Sequence, residues 1–263
     1  MLTDILVHLD HFASSAARLE VAVAMARQHR ARLTGLLVVR HGYPMGAGAA
    51  AVQDLFQQRV AEAGIANRWQ SVDGSAIDAR HTEIVLEYAR TSDLLVVGQG
   101  SRASAEVGIP NDLPERAVLE SGRPVLIVPY AGAFATVGEH ALVAWKPGRE
   151  SARAVHDALP ILKLAKRVEV LAKQRPETAL DYQEQPCAGI CANLAQHGIT
   201  AQAHTLVLEG VPLGEVLLNR VFDEGFDLLV IGAQAYGQEG KLTFGSVAHQ
   251  ILREMTVPVL MSH

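Results

Sequence analysis

The residues best placed to do chemistry lie near the carboxyl terminus, in the stretch LLVIGAQAYGQEGKLTFGSVAHQIL from Leu228 to Leu252. Gly232 closes a run of strand-forming residues, and thirteen positions later Gly245 and Ser246 open a stretch with helical spacing. The N-terminus of a helix carries partial positive charge and amides without an intrahelical partner. The N–H groups of Gly245, Ser246 and Val247, with the Ser246 hydroxyl, therefore make an anion site of the kind that holds a phosphate. Gly232 lets the chain turn from its strand without a side chain in the cleft. Gly245 and Ser246 serve equally well as an ordinary helix cap, and the pattern alone leaves both readings open.

Other reactive residues form weaker patterns. Asp73, Asp78, His81 and Glu83 make a small acid and histidine group, and His140, His156, His197, His204 and His249 are scattered through the second half. No Ser-His-Asp order, metal-ligand spacing or Walker lysine ties them together. His81 reads as a helix start, and His156 and His249 as members of helices packed on a sheet. The only cysteines, Cys187 and Cys191 in CAGIC, share a helix face; without a His pair they make a poor zinc site and read as small buried hydrophobes. Trp145 ends a strand beside Lys146, where its indole either packs or stacks on a base, whereas Trp69 reads as core.

The elements that position these residues come twice. SDLLVVGQ followed by RPVLIV in Ser92–Val128 returns as FDLLVIGA followed by VPVLM in Phe226–Met261, with Asp93, Gly98 and Pro124 matching Asp227, Gly232 and Pro258 at one offset of 134 residues. ILVHLD at Ile5–Asp10 similarly resembles ALVAWK at Ala141–Lys146. A repeat of this length is a whole domain. Its 263 residues thus divide into domains at 1–130 and 140–263, with AGAFATVGE at 131–139 as linker.

Within each copy, short apolar β runs alternate with amphipathic helical stretches, the pattern of βαβ units and a parallel sheet covered on both faces. Five strands and four helices are expected per copy, the first helix running from Ser14 to His29 with Ser14 or Ser15 as N-cap and Ala17, Val21, Ala24 and Met25 inward, and the second through Val52–Gly64. Strand order 3-2-1-4-5 is the simplest arrangement with right-handed crossovers. Such sheets bind ligands beyond the carboxyl ends of the strands, where the order reverses. That places Asp10 and Gly98 at the site of the first copy and Lys146 and Gly232 at that of the second.

On these motifs the chain resembles the universal stress proteins in their tandem bacterial form, through ILVHLD, SDLLVVGQ, LPERAVLESGRPVLIVPYAG, ALVAW, ESARAVHDALP and the terminal FGSVAHQILREMTVPVLMSH. The resemblance implies two tandem Rossmann-like α/β domains of the adenine nucleotide alpha hydrolase type. Nucleotide-binding members carry G-x-x-G-x9-G-(S/T) for the phosphates and an acidic residue after the first strand for ribose or adenine. Gly232, Gly245 and Ser246 fit that motif. Ala235 stands at its second glycine and Lys146 at its acid, where a lysine removes a ribose acceptor and can itself pair with a phosphate. The implied nucleotide site of the second domain is Trp145, Lys146, Ile231, Gly232, Gln234, Ala235, Gly245, Ser246 and Val247. In the first copy Asn111-Asp112 replaces Gly-Ser, and Asp112 before Pro114 reads as an N-cap whose carboxylate fills the anion site. Asp10 and Gly98 then mark a degenerate, structural half.

Two functions follow: a stress-response regulator that senses ATP or another adenine nucleotide, with or without Mg, through the second domain; or a scaffold that binds no nucleotide and works by protein association. Catalysis is limited to slow ATP hydrolysis at most. A net charge of −5 without basic clusters argues against nucleic acid. Apolar runs far shorter than the roughly 18 residues of a membrane span argue against insertion, and Met1 leads almost directly into a strand, so the reading is cytoplasmic. The fifth strands, Val125–Val128 and Val257–Met261, are apolar edges, whose pairing would join the copies as a pseudo-dimer; a homodimer and an unknown protein partner complete the expected associations.

Overall fold

The computed structural model describes residues 1–39, 46–74, 81–100, 110–174, 186–207, 210–238 and 241–263, in two compact units, Met1–Thr136 and Val137–His263. The first unit runs β1 (Asp4–Leu9), α1 (Ser14–His29), β2 (Arg32–Val39), α2 (Gly46–Ala63), β3 (Asn67–Asp73), α3 (His81–Ala89), β4 (Leu94–Gly98), α4 (Leu113–Glu120) and β5 (Val125–Val128). Its strands lie in the order β3-β2-β1-β4-β5, and every pairing is parallel. Helix α1 packs on α2, and α3 on α4, as right-handed crossovers on either side of the order reversal require.

The second unit repeats this plan with β6 (His140–Trp145), α5 (Arg149–Leu162), β7 (Arg167–Gln174), α6 (Ala188–Gln196), β8 (Ala201–Val207), α7 (Leu213–Asp223), β9 (Leu228–Gly232), a ribbon of β10 (Ala235–Gln238) and β11 (Lys241–Phe244), α8 (Ser246–Glu254) and β12 (Val259–Ser262). The five main strands take the order β12-β9-β6-β7-β8, all parallel. Both units thus have the 3-2-1-4-5 order expected from the alternation. Central strands are apolar on both faces because helices cover both: Leu142, Val143, Leu229 and Val230 have no exposed surface.

The repeated residues have repeated jobs. Asp93 accepts hydrogen bonds from the Thr3 amide (2.7 Å), the Thr3 hydroxyl (2.6 Å) and the Asp4 amide (3.1 Å). Burial works against its charge, yet the Thr3 and Asp4 donors hold its carboxyl below the usual range. Asp227 binds the amides of Gly138, Glu139 and His140 at 2.9–3.2 Å in the same way. Each aspartate thereby satisfies the amides entering the first strand of its own unit. The carbonyls of Pro124 and Pro258 accept from Leu95 and Leu229, each at 3.1 Å.

Three local expectations are corrected. Ser14 and Ser15 are helical and Ala13 is the N-cap of α1, without a side-chain cap bond; the Ser15 hydroxyl instead accepts the Asp10 amide at 3.0 Å. The inward stripe of α1 is Arg18, Leu19, Val21, Ala22, Met25 and Ala26, with Ala24 exposed, because an arginine takes a place that hydrophobicity alone would not assign. Helix α2 begins at Gly46 rather than Val52, so tertiary packing overrides the weak helix propensity of glycine.

Candidate functional site

A cavity of about 660 Å³ opens at the carboxyl ends of β9, β6 and β7, within the size range of small-molecule sites. Strand β6 supplies Ala144 and Trp145, followed by Lys146; β9 supplies Ile231 and Gly232, followed by Gln234; α8 contributes Ser246, Val247 and Ala248 after Gly245. An apolar wall comes from Leu171 on β7 and from Val211, Pro212, Leu213 and Leu217 at the start of α7. Eight of the nine residues named from the motif therefore line one cavity. Ala235 is placed by its backbone, opening β10 opposite Phe244.

The ribbon explains the thirteen-residue step between glycines. Strands β10 and β11 pair antiparallel from Ala235↔Phe244 to Gln238↔Lys241, so the chain leaves β9 and returns to its starting point. There the Gly245 amide donates to the Gln234 carbonyl at 2.8 Å. Gly245, in extended conformation, is the N-cap of α8 without a side-chain cap bond, and the first-turn amides have no intrahelical acceptor. Lys146 Nζ donates to Gln234 Oε1 at 3.0 Å, which brings an ammonium beside this helix end. Ser246 and Lys146 are both exposed and open to a ligand.

Gly232 is required for a different reason from the one its position suggests. A Cβ there would lie 2.4 Å from both the Glu150 carbonyl carbon and the Ser151 nitrogen. The first turn of α5 rests on the strand end, and Gly232 permits that close approach. At Gly98 the corresponding space holds a side chain, with the Arg18 guanidinium carbon 2.9 Å from a Cβ position.

Arg18 closes the equivalent place in the first unit. Its guanidinium, 3% exposed, pairs with Asp10 at 2.7 Å and donates to the His8 carbonyl at 2.7 Å. Asp10 also accepts the Phe12 amide at 2.9 Å, leaving the carboxylate committed on two sides. The 250 Å³ cavity that Asp10 borders is lined mainly by apolar groups, including Leu9, Phe12, Leu19 and Leu55. Asp112 is the N-cap of α4 but makes no side-chain cap bond, so the expectation that its carboxylate fills an anion site there is corrected: the closure is made by Arg18 and Asp10.

The remaining candidates are dispersed. His81 Nε2 lies 2.9 Å from His8 Nε2, and burial, then His81 and Arg18, hold His8 well below its usual pKa. Glu83 pairs with Arg116 at 2.8 Å, and Asp78 lies outside the described residues. Burial raises the pKa of both cysteines, which disfavours reactive thiolates; among the described residues no cluster could hold a metal ion. Trp145 lines the cavity with its indole N–H donated to the Pro186 carbonyl at 3.0 Å. Trp69 is half-buried, stacked at a tilt on Phe56 with ring centroids 5.2 Å apart.

Sequence reasoning missed Arg18, Lys173, Ser151 and the apolar wall. Arg18 carried a signal, being a cation three and four residues from Val21 and Ala22 on a helix that follows an aspartate. Lys173 carried one as well, since it lies at the carboxyl end of β7, as Lys146 lies just past that of β6.

Residues 139–263, within the second unit, match the model of the Universal stress protein family. A universal stress protein from Archaeoglobus fulgidus DSM 4304 superposes with a TM-score of 0.73 at 16% identity, over 98% of this chain and 97% of its own. A functionally unknown protein from Pseudomonas aeruginosa PAO1 gives 0.69 at 18% identity, over 99% and 92%. Likeness at such identity establishes a shared fold. No curated protein sequence matches the chain. Among the described residues no helix is long and apolar enough to cross a membrane.

Proposed function

We propose that the protein is a stress-response regulator whose second unit binds an adenine nucleotide, ATP or AMP, with its phosphate at the N-terminus of α8. One observation carries this reading: a single cavity joins that helix end and Lys146 to an apolar wall able to hold a base. The chain senses the nucleotide rather than consuming it, because no general base stands among the described lining residues. The committed Asp10–Arg18 pair of the first unit supports one nucleotide per chain.

Calorimetry with AMP and ATP tests this, with an expected stoichiometry near one. Ser246→Asp puts a carboxylate at the phosphate position and keeps a good residue for a helix start, so binding is lost while the fold is retained. Unchanged affinity in the folded variant, or an absence of nucleotide binding in the parent, favours the alternative of a scaffold acting through protein association.

A further inference from the structure

Both ionisable side chains among the described residues lining the cavity are lysines, Lys146 and Lys173. They are not equivalent. Lys146 belongs to the α8 end, since its ammonium reaches Gln234 and the Gln234 carbonyl takes the Gly245 amide. Lys173 is the penultimate residue of β7, the strand on the far side of β6 from β9. The register Trp145↔Ala172 puts Lys173 laterally beside Lys146, on the side away from β9. Two strand spacings, roughly 10 Å, separate β7 from β9.

Lys173 also follows Leu171 by two residues, so both project to the same face of β7, and both line the cavity. The second ammonium thus stands at the rim of the apolar wall, where a base and ribose would lie. A 5′-polyphosphate extends away from the nucleoside and leaves that charge unmatched. Lys146 stands at the position where the resemblance leads one to expect an acidic ribose acceptor, so that position supplies no carboxylate to oppose a phosphate on the ribose. Of the carboxylates nearby, Glu150 lies at the start of α5 outside the lining.

We infer that the cavity selects nucleotides carrying a second phosphate on the ribose, with the 5′-phosphate at α8 and Lys146 and the ribose phosphate at Lys173. This rests on nucleotide binding at the same cavity. Two separated anions then meet two separated cationic poles, and a lysine serves each as a point charge.

The test is calorimetry on the full chain with adenosine 3′,5′-bisphosphate, its 2′,5′ isomer, ADP and AMP. ADP has the same number of phosphates, all at the 5′ position. The expected result is that one bisphosphate binds at least about tenfold tighter than ADP, the scale of one added charged contact. The preference should fall to about one in Lys173→Met and persist in Lys173→Arg. Because Lys173 is exposed, both variants should fold, as circular dichroism would verify. If AMP and ADP bind but neither bisphosphate is preferred, the inference is overturned and the nucleotide site stands. A preference that survives in Lys173→Met overturns the role of Lys173. Failure of every nucleotide to bind overturns the inference together with the proposed function.

Discussion

Replacing Arg18 with methionine tests whether the first unit is closed by its own ion pair. The change removes a guanidinium that is 3% exposed from a carboxylate that is 8% exposed and 2.7 Å away. Removing one member of a buried pair costs about 3–5 kcal/mol because the other charge is stranded. Asp10 keeps the Phe12 amide, which argues for the lower end, about 3 kcal/mol. Asp10→Asn with Arg18→Met removes both charges, keeps an acceptor for Phe12 and substitutes an apolar chain of similar reach. That double variant should recover about 2 kcal/mol of the loss, since a buried pair exchanged for a neutral one is often tolerated. With a urea m-value of about 2 kcal/mol/M the single variant's midpoint falls by about 1.5 M. Urea denaturation of the full chain reads this, and hydrogen exchange at the amides of β1 and β4 assigns the loss to the first unit. An Arg18→Met midpoint within about 0.5 M of the parent, or a double variant no more stable than the sum of the singles, would refute the reasoning.

Gly232→Ala forces a methyl against the Glu150 and Ser151 backbone, which cannot rotate away as a side chain can; a loss of about 2–3 kcal/mol with weakened AMP binding is expected, and a wild-type melt would count against it. His8 stays neutral in the fold because burial, then His81 and Arg18, lower its pKa well below 6.5. The unfolded chain alone takes up that proton, so stability is full above about pH 6.5 and falls as the pH drops below it, by about 1 kcal/mol at pH 5.5. His29, also lowered by burial and then by the amino terminus, adds in the same direction. His8→Gln should flatten the slope of urea midpoints between pH 7.5 and 5.5, and equal slopes would contradict it. Glu169 has no exposed surface and is bound by Arg220 at 2.8 Å and Arg167 at 3.1 Å. Arg220→Met leaves Arg167 and, at 3.7 Å, His204 and should cost about 2 kcal/mol, as for a hydrogen bond to a charged group; thermal melts showing no change would exclude a shared network.

Much of the architecture is legible along the chain because it depends on local, periodic signals. The 134-residue offset joining Asp93 to Asp227 and Pro124 to Pro258 follows from residues that serve neighbours in their own unit, so repetition of type means repetition of contact. Strand order follows from the alternation of elements, since right-handed crossovers leave few arrangements. Lys146, Gly245 and Ser246 were legible for the same reason: once the order is set, so is the end of the sheet at which they stand. What a side chain pairs with across the fold is not periodic. Arg18 reaches Asp10 and Gly98 only because α1 lies across β1 and β4. Gly232 answers to the backbone of α5, and the step to Gly245 is taken up by a two-stranded ribbon that the apolar pattern does not announce. Lys173 joins the cavity through the register of β7 on β6, a relation between segments far apart in sequence. The amino-acid order determined the sheet, its repeat and the helix end at Gly245 and Ser246; tertiary packing decided which charges are paired within the protein and which stay exposed, because desolvation and pairing depend on neighbours brought together only by the fold.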